Sequence, residues 1–111
     1  MTESILDTIK EMLGIPAGEA SFDQILISEI NAAFSTLTQL GVGPLIGFQI
    51  QNKDNKWVEF YTDPRLNGVQ NYVYLRVRVV FDPPTSGFTQ TAMERQIQEL
   101  EFRLNITAEY G

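Results

Sequence analysis

The sequence predicts a small, acidic, helix-rich domain, and three observations support this prediction. Its 111 residues suit one domain over residues 1–111, because two halves would each be too small to hold a stable core. Hydrophobic residues make up 43% of the chain and charged residues 20%, so the chain can bury a core. Apolar residues also recur at helical spacing in three separate segments.

The first of these segments, residues 2–13, predicts a helix with one apolar face. The face is formed by Ile5, Leu6, Ile9, Met12 and Leu13. Gly14 is a typical residue for the end of a helix, and Pro16 prevents the helix from continuing.

The second predicted helix begins at Ser21, which forms a capping-box pattern with Gln24. It ends before the glycines and proline of residues 41–44. A long apolar stripe runs along it: Phe22, Leu26, Ile30, Ala33, Leu37 and Leu40.

Residues 44–62 alternate between apolar and polar side chains on either side of a polar cluster at 52–55. This alternation predicts a β-hairpin, which would need to lie on the helices or on a partner to be stable. The open alternative is a loop packed on its own domain. Aromatic residues dominate the energetics of many interfaces, so Trp57 and Phe60 are candidate anchors for a partner as well as candidate cover for the core.

The segment 72–81 (YVYLRVRVVF) supports two structures. Its alternation and its β-branched and aromatic residues slightly favour a strand. Asp63 and Pro64 upstream favour a helix start instead. Such a helix would be apolar on two sides, and it would have to be buried on both, inside a bundle or against a neighbouring subunit.

The last predicted helix follows Pro83 and Pro84 and starts at Thr85 or Ser86. Its apolar stripe consists of Met93, Ile97, Leu100 and Leu104. Residues 105–111 are expected to form a short tail that carries Ile106 and Tyr110.

The composition argues against an enzyme. The chain has no histidine and no cysteine, which removes the commonest general base, the thiolate nucleophile and the commonest zinc ligands. Asp7 and Glu11 lie one helical turn apart, but such pairs are usually solvated surface. The sequence contains no glycine motif for phosphate binding, and Asp54 lacks the further acids of a calcium loop. We therefore predict no catalytic residue, no cofactor and no metal site.

The net charge of −6 argues against a surface that grips nucleic acid. Residues 1–52 hold one base and six acids, net −5, whereas residues 53–111 hold seven bases and eight acids, net −1. The first residues include acidic side chains, whereas a secretory signal peptide needs an uninterrupted apolar core. No apolar run in the sequence approaches the ~20 residues that a membrane-spanning helix needs. We expect a protein of a cytosol-like compartment with no membrane partner.

Five runs of residues, together with Trp57 and Phe60, carry a family resemblance. They are residues 30–34 (INAAF), 37–44 (LTQLGVGP), 72–78 (YVYLRVR), 81–86 (FDPPTS) and 101–105 (EFRLN). The chain resembles the head–tail connector (adaptor, head-completion) proteins of tailed bacteriophages over nearly its whole length. The resemblance implies a mainly α fold, a bundle of about four helices with a long loop or β-hairpin between helices 2 and 3, in which residues 72–81 are helical.

The resemblance also implies a virion structural protein, made in the host bacterial cytoplasm and located at the head–tail interface. It would form a homo-oligomeric ring, expected to be a dodecamer, between the portal protein and the tail or tail-completion proteins. DNA would pass through the ring without specific binding. Two other functions stay open: a tail-terminator-like ring protein, and a small adaptor that binds a host protein. The predicted interface residues are Phe48, Ile50, Trp57, Phe60, Leu75, Val79, Ile106 and Tyr110.

Overall fold

The computed structural model describes residues 2–110, apart from the side chain of Tyr110. Four α-helices dominate the described residues: α1 (Ile5–Leu13), α2 (Asp23–Gln39), α3 (Gly68–Phe81) and α4 (Gly87–Tyr110). Between residues 2 and 110 there is no β-strand, and the one β-bridge is an isolated pair, Ser4 and Lys56. The predicted mainly α bundle of four helices is therefore confirmed.

The ends of α1 and α2 follow local capping rules to different degrees. The Ser4 hydroxyl accepts a hydrogen bond from the Asp7 N–H at 3.2 Å, which satisfies one of the free donors at the start of α1. Gly14 ends the helix, as predicted. The predicted capping box of Ser21 is wrong: α2 begins two residues later, at Asp23, with no side-chain cap.

Residues 72–81 are helical, so the strand that their pattern slightly favoured is wrong. The apparent alternation arises from two apolar stripes on opposite sides of α3. Val73 and Val77 are fully buried on one side, and Tyr72 is fully buried on the other. Because α3 packs against α2, α4 and α1, it has no side left for a continuous polar face.

The segment between α2 and α3 is a loop, so the hairpin alternative is wrong and the loop alternative is correct. It contains two 3₁₀ turns, Trp57–Glu59 and Pro64–Leu66. The two halves of the expected hairpin bond to other parts of the chain instead of to each other. The backbone of Ile50 pairs with the side chain of Asn31, and the Trp57 N–H donates to the Glu3 carbonyl at 3.2 Å.

The expected tail after residue 104 is wrong, because α4 continues to Tyr110. Its end is held by the Asn105 side chain, whose amide donates to the Leu40 carbonyl at 3.0 Å. The last turns of α4 therefore lie beside the last turn of α2.

The three longest helices form a layer with α3 in the middle. The Thr36 hydroxyl meets Arg76 at 3.2 Å, and the Phe22 ring meets the Phe81 ring at 5.3 Å, so α2 and α3 run antiparallel. Gly68 lies beside Leu100 and Leu104, and Tyr72 bonds to Glu101, so α4 packs antiparallel to α3. The molecule is flat, with extents of 38 × 36 × 20 Å. Its core lies where α1 and the long loop cover this layer.

Candidate protein-interaction surfaces

An aromatic cluster fixes the long loop on α2. The Phe34 ring of α2 lies 5.1 Å from the Phe48 ring and 4.6 Å from the Phe60 ring, both of which belong to the loop. Trp57 completes the cluster, with its ring 6.2 Å from Phe34. Aromatic pairs at these separations are worth about 0.5–1.5 kcal/mol each beyond their buried area. The loop is thus an ordered part of the domain.

Polar contacts fasten the same loop at two further points. The Asn31 amide donates to the Ile50 carbonyl at 3.1 Å, and its oxygen accepts from the Ile50 N–H at 2.8 Å. This pair of bonds satisfies both backbone groups of a buried residue. The Trp57 indole N–H donates to the Thr8 hydroxyl of α1 at 3.1 Å.

One turn of this well-held loop projects two aliphatic side chains into solvent. Pro44 and Gly47 close the turn through a hydrogen bond of 3.0 Å from the Gly47 N–H to the Pro44 carbonyl. Leu45 and Ile46 occupy its two central positions and are 96% and 99% exposed. We call Leu45 and Ile46 the apolar tip. Two adjacent aliphatic side chains held in water by an ordered turn are typical of a contact site.

The chain segment that carries the apolar tip contains no charged residue. Residues 30–52 include no Asp, Glu, Lys or Arg, although charged residues make up 20% of the chain. A groove of about 430 Å³ lies between α2 and the tip, and its polar lining is supplied by amide and hydroxyl side chains: Asn31, Ser35, Thr38, Gln39, Gln49 and Gln51. The cores of protein interfaces are likewise depleted of charged residues. We call residues 30–52 the uncharged edge.

A second groove, of about 370 Å³, lies between α4 and the start of α3. Its apolar lining comes from Leu100, Leu104 and Ile106, and Gly68 lies beside them. A Cβ atom at Gly68 would come within 3.1 Å of Leu100, so glycine lets α3 start close to α4. Arg65 and Arg103 also line this groove, and we call it the α4 groove.

Further apolar side chains are exposed at the opposite end of the layer. Phe22, Ile25 and Val80 are all more than two-fifths exposed, and Phe22 touches Phe81. Phe88, in the first turn of α4, is 86% exposed. Single exposed apolar residues are common on soluble proteins, but this group lies where α2 begins and α3 ends.

The predicted interface residues fall into three groups. Ile50, Trp57, Phe60 and Leu75 are buried within the chain, and Phe48 and Val79 pack against the core as partly buried residues. Their packing accounts for their presence without a partner. Ile106 is 38% exposed and lines the α4 groove. The side chain of Tyr110 lies outside the described part of the structure. The interface assignment stays a prediction.

The apolar tip and the uncharged edge were not predicted from the sequence as candidate surfaces. Leu45 and Ile46 were assigned to a predicted hairpin, in which Ile46 would alternate with its neighbours. A signal was present: 23 consecutive residues without a charge, broken by two glycines and a proline at 41–44, indicate a surface that avoids charge.

A polar network between α2, α3 and α4 is the main titratable cluster of the interior. The Tyr72 hydroxyl donates to Glu101 Oε2 at 2.7 Å and accepts from the Arg76 guanidinium at 2.7 Å. Arg76 also lies 3.8 Å from Glu101 and donates to Thr36. Burial, followed by the hydrogen bond to Glu101, raises the pKa of Tyr72 to about 12. The network joins the three helices of the layer and has no open cleft of its own.

Lys10 is the one buried charged residue within the described chain, and all three of its N–H donors are used. Its ammonium donates to the Ala17 carbonyl at 3.2 Å, the Glu19 carbonyl at 2.6 Å and Asp23 Oδ1 at 2.9 Å. These bonds hold the connection between α1 and α2. Lys10 is therefore a structural residue.

No arrangement in residues 2–110 suggests catalysis by a metal. Three or more His, Cys, Asp or Glu side chains do not converge anywhere in this range in a way that could hold an ion. Among the helices of the same range, none combines the length and hydropathy needed to cross a membrane.

Residues 5–111 match the model of a protein family described as phage connector protein. The match covers nearly the whole chain and agrees with the resemblance found in the sequence. Neither curated proteins nor solved structures give a significant match.

Proposed function

This chain belongs to the phage connector protein family, a family of virion structural proteins, and on that premise we propose a specific role for it. It acts as the head–tail connector that assembles as a ring between the portal protein and the tail or tail-completion proteins. DNA passes through the ring without specific binding. The role needs no catalytic residue, since the protein works by shape and association.

The observation that carries this proposal is the family match over residues 5–111. Three features of the structure support it. The chain is flat, as suits a wedge in a closed assembly. It exposes apolar residues on more than one side, as a subunit with two neighbours needs. Its net charge of −6 disfavours retention of DNA, because phosphates and carboxylates repel each other.

The two other functions considered from sequence receive less support. Tail-terminator-like ring proteins usually carry more β-structure, whereas residues 2–110 are mainly helical. An adaptor that binds one host protein would need one contact surface, whereas this chain exposes apolar residues at several separate places.

Deletion of the gene tests the proposal directly. We expect lysates of the deletion phage to contain heads that have packaged DNA but lack tails or leak their DNA, together with free tails. Electron microscopy of these lysates measures both. The control is complementation by the wild-type gene, which should restore tailed, infectious particles. Normal tailed particles from the deletion phage would contradict the proposed role.

A further inference from the structure

We propose that the apolar tip of one copy of this chain inserts into the α4 groove of the next copy. This contact rests on the proposed ring and names the residues that would close it. Leu45 and Ile46 are the inserting residues, and Leu100, Leu104 and Ile106 receive them.

The tip and the α4 groove have complementary chemistry. The tip exposes two aliphatic side chains almost completely, and the α4 groove offers aliphatic lining from half-buried Leu100 and exposed Ile106. Insertion would remove both apolar surfaces from water, which is favourable by about 25 cal/mol per Å² of apolar area. The tip brings no charge to the groove, so insertion leaves the ion pairs beside it intact.

Those ion pairs are already complete within one chain. Arg103 bonds to Glu99 at 2.6 Å, and Arg65 bonds to Asp63 at 2.7 Å. An acidic partner segment would have to compete with these carboxylates for the two guanidinium groups. An uncharged segment such as the tip has no such competition. The groove therefore favours an apolar occupant over a charged one.

The tip and the α4 groove occupy different positions in the fold. The tip and the uncharged edge lie beside α2, whereas the α4 groove lies beside α4 and the 3₁₀ turn Pro64–Leu66. The tip and the α4 groove share no residue, so they are two distinct surfaces of one chain. A contact between different surfaces of identical chains is heterologous, and it leaves each bound copy with one free tip and one free groove. Such a contact propagates from copy to copy until the ring closes.

The apolar tip is preorganised for insertion. The turn that carries the tip is closed by its own hydrogen bond. Val42 is buried before the turn, and the loop after it is held by Phe34, Asn31 and Thr8. An ordered tip loses little conformational freedom on insertion, so more of the gain from burial is kept as affinity.

Cysteine cross-linking tests the contact, because the chain has no native cysteine. Ile46→Cys is placed in one copy and Thr107→Cys, beside the groove, in another. We expect mild oxidation of the mixed variants, assembled into phage particles, to give a cross-linked dimer. Each variant alone should stay monomeric on a non-reducing gel, since residue 46 never meets another residue 46. The double variant should give a ladder of covalent oligomers.

A second variant tests whether ring formation depends on the tip itself or on any exposed apolar side chain. The pair Leu45→Ser and Ile46→Ser should reduce ring formation at least tenfold while leaving the helical circular dichroism unchanged, because both side chains are in solvent. Val58→Ser is the matched control, since Val58 is an exposed aliphatic residue of the same loop that belongs to neither the tip nor the groove. It should leave ring formation unchanged.

The outcomes distinguish the contact from the proposed function. Particles that contain the chain as a ring but give no cross-link between residues 46 and 107 would overturn the tip-in-groove contact and leave the connector role standing. Cross-links between two copies of residue 46 would overturn it as well, because they indicate a two-fold contact. Absence of the chain from purified particles would contradict the connector role itself.

Discussion

Lys10 shows how one charged side chain organises the start of this small domain. Its side chain is 2% exposed, and its ammonium binds two carbonyls of the connection between α1 and α2 as well as Asp23. In the sequence, Lys10 follows Ile9 on a helix that also carries the acidic residues Asp7 and Glu11. Nothing in that pattern distinguishes a buried lysine from an exposed one, because the carbonyls that receive it come from a loop of irregular backbone.

We predict that Lys10→Met destabilises the chain by about 1–3 kcal/mol, the usual cost of losing hydrogen bonds to a charged group. Methionine keeps most of the aliphatic volume but leaves Asp23 and two carbonyls without their donor. Urea unfolding followed by circular dichroism measures the change. Lys53→Met is the matched control, since Lys53 is exposed, and it should change the free energy of unfolding by less than about 0.5 kcal/mol. Equal stability of both variants would contradict the structural role of Lys10.

Tyr72 makes the stability of the folded chain depend on pH in the alkaline range. Its pKa in the folded chain is about 12, above the ordinary value of 10, so the folded chain holds this proton more tightly than the unfolded chain. The corresponding stability is fully present below pH 10 and is lost as the pH rises from 10 to about 12.

We therefore predict that the wild-type chain loses stability between pH 10 and about 12 more steeply than Tyr72→Phe. The variant also loses the hydroxyl that links Glu101 to Arg76, which should cost about 1–2 kcal/mol at pH 7. Thermal melting at a series of pH values measures both effects. Parallel pH profiles for the two proteins would show that Tyr72 does not carry this dependence.

The long loop depends on one close contact between backbone and aromatic ring. Gly43 has φ of +89°, and a Cβ atom there would lie 2.4 Å from the Phe60 ring. Phe60 is buried against Phe34 and Phe48, so its ring cannot move away without disturbing the aromatic cluster. Glycine is needed at this position for its conformation and for its size.

We predict that Gly43→Ala destabilises the chain by about 2–4 kcal/mol, from left-handed strain of about 1 kcal/mol and overpacking of about 1–3 kcal/mol. Gly41→Ala is the matched control, because Gly41 has φ of +82° but open space around its Cβ position. Gly41→Ala should lower the free energy of unfolding only by the left-handed strain, about 1 kcal/mol. Chemical denaturation of the two variants gives the difference, and equal losses would show that the Phe60 contact is not limiting.

The helices could be predicted from the sequence better than the loop between them. One-sided apolar stripes located α1, α2 and α4, because a helix that packs on one face needs that pattern. Helix α3 required the family resemblance, since burial on two sides produces an alternation that imitates a strand. The loop could not be predicted, because its backbone pairs with Asn31 and Glu3, which are distant in the chain. The exposure of Leu45 and Ile46 follows from the backbone path of this loop, so it could not be predicted either.

At the scale of the whole molecule, the net charge disfavours assembly of several copies, whereas the exposed apolar surface favours it. Each copy carries a net charge of −6, so copies brought together in a ring repel one another. The uncharged edge and the apolar tip place no charges in the proposed contact. Attraction would then come from apolar burial, and electrostatics would act mainly against assembly.

We predict that self-association of the purified chain strengthens when salt is raised from about 0.05 M to about 0.5 M, because salt screens the repulsion between acidic copies and leaves apolar burial intact. Analytical ultracentrifugation across this range measures the apparent dissociation constant. The variant with Leu45→Ser and Ile46→Ser serves as the control, and it should show weaker association at every salt concentration. An interface held by ion pairs would show the opposite trend, with association that weakens as salt rises, and that result would contradict an apolar contact between copies.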